Sequence, residues 1–471
     1  MSIEFYLSCK KQGKFLEKLD IENLKPKNKK KKAKFRLDIN EQIEYQPFLG
    51  FGYSFEHTSC YNIMQFPPEK RRKVLEMLVD PKQGAGMNLW RLCIGTPDFT
   101  YEFYSYDDIP IGEEDMKLEQ FSIEKDREYV LPVVNEALEI NPDLTFFSSP
   151  WSPPGWMKGP ESKYFKGKKK KIEGSKGLCG GRLLPKYYDV YADYFIRYIK
   201  AYEEEGIHIH AVTVQNEPHH NWTLMPTCFW RGEEERDFIK KHLGPKLKDA
   251  GLSTEIWSWD HNWGMFKPSK YPITILNDPE AAKYVSGLAF HHYDYINIRH
   301  LSKFNEMFPN MPIYFTEGSL PGLWGAHRIV AYFNNWCRSY NAWVPVISYP
   351  NGEPNLGPFK TNRTFMQRTD GAADNRFIYP KDQLLIRPTY YFHSHFSKFI
   401  KKGAFRVASS NNSPWLVSKV CFKNPDESIV SVIVNRRFSH LSTRIKLKMM
   451  NVETEIFTLP PKSIATIIVK P

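Results

Sequence analysis

Two glutamates end short apolar runs: Glu217 follows Ala211-Val212-Thr213-Val214-Gln215-Asn216, and Glu317 follows Pro312-Ile313-Tyr314-Phe315-Thr316. Runs of this make-up read as buried strands, where a carboxylate is costly unless it faces a polar cleft or a partner. Two carboxylates in one cleft are what glycoside hydrolysis needs, one to protonate the leaving oxygen and one to attack the sugar carbon or activate water. Taken singly, either glutamate could cap a following helix or pair with an arginine instead. Finding the same arrangement twice favours chemistry.

The elements that would position the pair can be counted. Strand-like runs at residues 49–55, 88–94, 145–149, 210–216, 254–259, 287–293, 312–316 and 342–348 alternate with helical patterns, clearest at 71–80, 127–140, 187–205 and 233–250. Eight strands alternating with helices predict an α/β chain folded as a (β/α)8 TIM barrel, whose catalytic groups lie at the C-terminal ends of the strands. Glu217 and Glu317 then belong to strands four and seven. Short strands at 415–422, 428–435, 444–448 and 465–469, separated by Pro, Asn and Ser, predict a small all-β sandwich as side domain. The expected division is a basic, disordered segment over 1–33, strand residues over 34–46 joining the sandwich, the barrel over 47–396 and the sandwich over 397–471.

The chain has 471 residues, 41% hydrophobic and 15% aromatic, enough for a barrel core and for aromatic surfaces that stack on sugars. Much of the formal charge of +12 is local, in the lysine-rich runs 25–34 and 166–171. These read as solvated loops, because neither lies on an amphipathic helix with interleaved aromatics, so no nucleic-acid partner is expected. Nothing resembles a signal peptide or a transmembrane segment, and a cytoplasmic location is the expectation. Seven widely spaced cysteines with no Cys-x-x-Cys pair predict reduced thiols. With no His/Asp/Glu cluster at ligand spacing, no metal and no organic cofactor is expected.

The order of motifs carries a resemblance. Gly50-Phe51-Gly52, Arg91 through Asp98-Phe99, Ser149-Pro150-Trp151 with Pro154 and Trp156, Asn216-Glu217-Pro218, Asp278 through Val285, His291 with Tyr293, Glu317, and His395-Phe396-Ser397-Lys398-Phe399-Ile400 follow one another along the chain. In this the chain resembles glycoside hydrolase family 30, the family of lysosomal acid β-glucosidase (glucosylceramidase), over nearly its whole length after residue 45. The resemblance implies a barrel with a β-sandwich and a retaining hydrolase in which Glu217 is the acid/base and Glu317 the nucleophile. It implies that Asn216 holds the sugar 2-hydroxyl, that Trp151 lines the glycone pocket and that Arg91 supports the carboxylates. Tyr293 is expected to orient Glu317, with His291 behind it. Glu217 must then be protonated at rest, and a nearby negative Glu317 is expected to raise its pKa.

Two departures from the family pattern touch the sugar pocket. Glu56-His57 stands where the glucosylceramidases have a glucose-holding aspartate, and Val346 where they have a stacking tryptophan, although Trp343 survives. Glu56, His57 and Trp343 therefore join the candidate substrate-binding residues. The expected substrate is a carbohydrate or glycolipid, first a β-glucoside or a glucosylceramide-like molecule. Xylosides, galactosides, fucosides and 1,6-glucans are the alternative glycones, and a catalytically silent carbohydrate-binding barrel is the alternative class.

Overall fold

In the computed structural model, the described residues are 2–20, 24, 25, 33, 35–110, 112–159, 176–293, 297–349, 366–369, 383–410, 413–448 and 452–471. The run 166–171 lies outside these, as does most of 25–34.

Six parallel strands pair side by side: Leu89–Ile94, Thr145–Pro150, Ile209–Thr213, Glu255–Asn262, Val285–His291 and Ile313–Glu317. Gly50–Gly52 pairs in parallel with Ser339–Asn341, and parallel bridges from Ser54 to Arg91 and from Ile313 to Cys337 join that pair to both edges of the sheet. The ring of eight closes as a TIM barrel. The predicted last strand, 342–348, needs correcting. The regular strand is Ser339–Asn341, backbone bonds to Gly52 and Ser54 carry its pairing on to Trp343, and after Pro345, which cannot donate to a ladder, Val346–Tyr349 pairs with Met366–Thr369 outside the barrel.

Side-chain alternation along these strands builds the interior in layers. Leu89, Phe147, Ala211, Trp257, Ala289 and Tyr314 form one buried apolar cluster that plugs the barrel. Two residues further along, on the same face, come Arg91, Ser149, Thr213, His291 and Thr316. Strict alternation would put Trp259 in this polar layer. Instead the pairing of strand five with strand six slips between Trp259 and His261, and Trp259 and Asp260 take the left-handed φ values 84° and 48°. The bulge turns Asp260 into the ring.

The predicted helices appear as Pro68–Val79, Val130–Ile140 and Tyr188–Glu204, each burying one apolar face on the strands. The fourth, 233–250, is interrupted: Gly232–Phe238 and Gly244–Asp249 are joined by a π turn at Ile239–Leu243. Pro245 in the next turn has no N–H for the regular ladder, which favours the wider turn.

A ten-stranded sheet forms the second domain, with its own core that includes Phe5, Leu37, Ile433 and Ile467. Phe35–Pro47 lies within it, antiparallel to Phe405–Ser409 and parallel to Leu441–Leu447. The expectation of a disordered N-terminus fails for residues 2–19. Ser2–Cys9 pairs antiparallel with Ser463–Lys470 and forms a hairpin with Lys14–Leu19. Phe5, Leu7 and Cys9 alternate inward, a period-two signal hidden beside the lysines. His395, from the last motif, joins the two domains, with Nδ1 2.8 Å from Thr466 Oγ1 and Nε2 2.9 Å from Ser8 Oγ. All seven cysteines are free thiols.

Candidate active site

Asp260 is the hub of the polar layer. Fully buried, its Oδ2 accepts from Arg91, Ser149 and Thr213, and its Oδ1 accepts from Thr316 and meets His291 Nε2 at 3.0 Å. Burial works against its charge, but Arg91 and His291 outweigh it and hold the carboxyl well below its usual range. Arg91, also fully buried, spends its guanidinium on four acceptors: Nε on Ser149 Oγ at 3.2 Å, Nη1 on Glu317 Oε2, and Nη2 on Asn216 Oδ1 and Asp260 Oδ2, both at 2.8 Å. A planar fork of donors suits this bridge, and a lysine could not span it.

Glu317 ends strand seven with both carboxylate oxygens engaged. Arg91 donates to Oε2, and the Tyr293 hydroxyl donates to Oε1 at 2.5 Å. Tyr293 is 40% exposed, so it links the buried carboxylate to the open cleft.

Glu217 sits four residues beyond strand four with a left-handed φ of 47°, its backbone N–H donating to the Asp260 carbonyl at 3.0 Å. Histidines surround its carboxyl. His220 Nδ1 lies 2.9 Å from Oε2, while His291 Nδ1 and His261 Nδ1 lie 3.1 and 3.4 Å from Oε1. Burial would raise the Glu217 pKa, but the nearby His261 first, and then hydrogen bonds from His220 and His291, overcome it and pull the carboxyl well below its usual range. This reverses the expected upward shift, because imidazoles that only the fold assembles outweigh burial. His291 moves the other way, up to about 9: burial opposes its charge, but Glu317 and Asp260 favour it more strongly.

The contacts of His291 restrict where the proton between it and Glu217 can lie. Asp260, held ionised, can only accept, so His291 Nε2 must carry a hydrogen. Then Nδ1 either donates to a Glu217 carboxylate or accepts from a Glu217 carboxylic acid. The two states differ by one proton moved across 3.1 Å.

Of the other candidates, Asn216 meets Arg91 through its carbonyl oxygen, the only amide atom that can accept. Trp151 and Trp343 stack 4.9 Å apart, with the Arg91 guanidinium 4.6 and 5.5 Å from their ring centres, as one nearly buried wall. Glu56 and His57 are not in the cleft. Glu56 caps the helix His57–Met64, accepting from the backbone N–H groups of Thr58 and Ser59 at 2.6 and 2.8 Å. His57 lies between Thr100 Oγ1 and the Tyr104 hydroxyl, at 3.0 and 3.1 Å, and burial pushes it down to about 3. Val346 is buried too, its N–H and carbonyl both engaged by Ser59 Oγ. Replacing Glu56 by alanine is therefore expected to cost about 1–2 kcal/mol of stability, read as a lowered denaturation midpoint, with glycone preference unchanged.

Asp98, rather than Glu56 or His57, is the further buried acid near the two glutamates. Burial first, then the negative Glu317 and Glu217, push its carboxyl up to about 8. Three functional residues escaped the sequence reading: Asp98, quoted only within a motif, Asp260 and His261. The signal for Asp260 was available, since it ends the run Ile256-Trp257-Ser258-Trp259 as Glu217 and Glu317 end theirs. The expectation of no ligand cluster also needs correcting, because Glu217, beyond strand four, and His261 and His291, on strands five and six, bring donor atoms within 4.8 Å of one another.

Comparison with known proteins places this geometry in a lineage. Residues 48–400 match the glycosyl hydrolase family 30 TIM-barrel domain and residues 403–467 the family 30 β-sandwich domain. The chain is 30% identical over 422 residues to an endo-1,6-β-D-glucanase of Neurospora crassa, covering 86% of this chain and 82% of that one. It is 28% identical over 425 residues to the lysosomal acid glucosylceramidase of Mus musculus, covering 85% and 77%. A solved endo-β1,6-glucanase structure superposes with a TM-score of 0.85 at 26% identity, covering the whole of both chains. Sequence and fold agree, and the chain belongs to glycoside hydrolase family 30.

Proposed function

We propose that the protein is a retaining β-glycosidase that cleaves β-linked glucosides by double displacement. One observation carries this reading. Glu217 Oε1 and Glu317 Oε1 lie 3.1 and 3.8 Å from the same His291 nitrogen, so the two oxygens are less than about 7 Å apart. That bound reaches only the lower edge of the roughly 6.5–9.5 Å that an inverting enzyme needs to fit a water, and it admits the roughly 5–5.5 Å of direct attack by the second carboxylate.

In the first step Glu317, steadied by Arg91 and Tyr293, attacks the anomeric carbon. The bond to the leaving oxygen breaks as Glu217 delivers to it the proton shared with His291. In the second step Glu217 takes a proton from water, and the resulting hydroxide displaces Glu317 and releases the sugar with its configuration kept. With its carbonyl held by Arg91, Asn216 has its amide nitrogen to offer the sugar 2-hydroxyl, and Asp98 is placed to hold another hydroxyl. A 2-deoxy-2-fluoro-β-glucoside should accumulate as an ester on Glu317, visible by peptide mass spectrometry. Proton NMR should show the β-anomer first, and a first-formed α-anomer would rule out the mechanism.

The relatives motivate two substrates, glucosylceramide and β-1,6-glucan. A panel of nitrophenyl β-glycosides of glucose, galactose, xylose and fucose, run beside both natural substrates, distinguishes the glycones and separates glycolipid from polymer cleavage. Glu217→Gln is expected to lose roughly 10²–10⁴-fold on nitrophenyl glucoside. With a dinitrophenyl leaving group, which needs little protonation, the first step should be nearly intact, and an equal loss on both substrates would deny Glu217 its acid role.

A further inference from the structure

The cluster around Glu217 also has the form of a metal site. We propose that Glu217, His261 and His291 bind a divalent transition-metal ion of the zinc type, and that this ion and glycoside cleavage exclude each other. The exclusion rests on Glu217 being the acid/base; the binding does not.

Three observations support the site. First, Glu217 Oε1 lies 3.1 Å from His291 Nδ1 and 3.4 Å from His261 Nδ1, and all three atoms fall within 4.8 Å of one another. With metal bonds of about 2.0–2.1 Å, ligand atoms of a tetrahedral site are separated by roughly 3.3–3.4 Å, so the two distances to Glu217 already fit and the two imidazoles, within 4.8 Å of each other, need only draw together. Second, His261 Nδ1 is buried and has no hydrogen-bond partner, an open nitrogen turned toward the other two ligands. Third, His291 Nε2 is held by Asp260 Oδ1 at 3.0 Å, which fixes the tautomer that leaves Nδ1 for a metal, the carboxylate–histidine support common behind metal ligands. His220, on the other oxygen of Glu217, orients the carboxylate from outside the set.

Two imidazoles and one carboxylate favour zinc-like ions over magnesium or calcium. The ion takes the Glu217 oxygen and the His291 nitrogen between which the catalytic proton moves, so that proton leaves to solvent and the leaving group loses its donor.

The test uses the full chain after chelation and dialysis. Titration with cobalt(II) should develop the intense visible bands of a tetrahedral ion and saturate at one ion per chain. Zinc should displace cobalt, with calorimetry in two buffers showing proton release. His261→Asn, and His261→Gln as a second variant, should weaken binding at least about tenfold. His440→Asn, at an exposed histidine of the sandwich, should leave it unchanged. Hydrolysis of an aryl β-glucoside should fall as zinc saturates the site and return with EDTA. Absence of saturable binding, or binding indifferent to both His261 variants while they stay folded by circular dichroism, overturns the site. Binding with undiminished hydrolysis overturns the exclusion. A chain that binds metal at His261 yet cleaves no glycoside in either state refutes the proposed activity and leaves the site standing.

Discussion

Glu317→Gln is expected to lower turnover of any accepted β-glucoside by roughly 10⁴–10⁶-fold, the scale seen when a covalent nucleophile is removed. Glutamine keeps the shape and an oxygen for Arg91, but it cannot form the glycosyl ester. The fold should survive, because Arg91 keeps Asp260, Ser149 and Asn216 as partners. The measurement is steady-state hydrolysis with circular dichroism of the same preparation. A folded variant that still turns over at a tenth of the parent rate would mean that Glu317 is not the nucleophile.

Arg91→Met should damage stability and activity together. Arg91 is the cation between two buried carboxylates, and its loss leaves Asp260 and Glu317 facing each other with His291 alone to offset them. Breaking a buried pair from one side costs about 3–5 kcal/mol, which for a barrel of this size is a fall of about 4–7 °C in Tm. Activity should drop as well, since Glu317 loses a donor and Asn216 its anchor. Arg91→Lys separates the two effects. It restores charge and part of the melting temperature but cannot reach four acceptors, so turnover should stay low. Equal melting temperatures for all three proteins would show that Arg91 is not what offsets the buried acids.

Some of this was legible without tertiary structure because it is a local property of the chain. Seven of the eight barrel strands are apolar runs of the right length, and the eighth was misplaced by a few residues because 342–348 is more apolar than Ser339–Asn341. Whether such a run continues the barrel depends on its neighbour, and Gly50–Gly52 pairs with the earlier stretch. The N-terminal strand was missed because composition over the first 33 residues is dominated by lysines, whereas its alternation needs Ser463–Lys470 as a partner to become a strand.

At the site, residue types alone identified Glu217 and Glu317, since an acid ending a buried strand is conspicuous in one dimension. Asp260 also ends an apolar run, but that its side chain enters the ring could not be read this way. Alternation from Trp257 places Trp259 inside, and only the slipped pairing with strand six puts the aspartate there instead. Nor could the electrostatics of Glu217. His220, His261 and His291 lie 3, 44 and 74 residues beyond it, and nothing in their spacing announces that closure of the ring will bring all three imidazoles to one carboxyl. Sequence determines which groups are present and which face of a strand each one starts on. Backbone register and ring closure, which sum interactions over the whole chain, decide which of them meet and so which of them holds the proton.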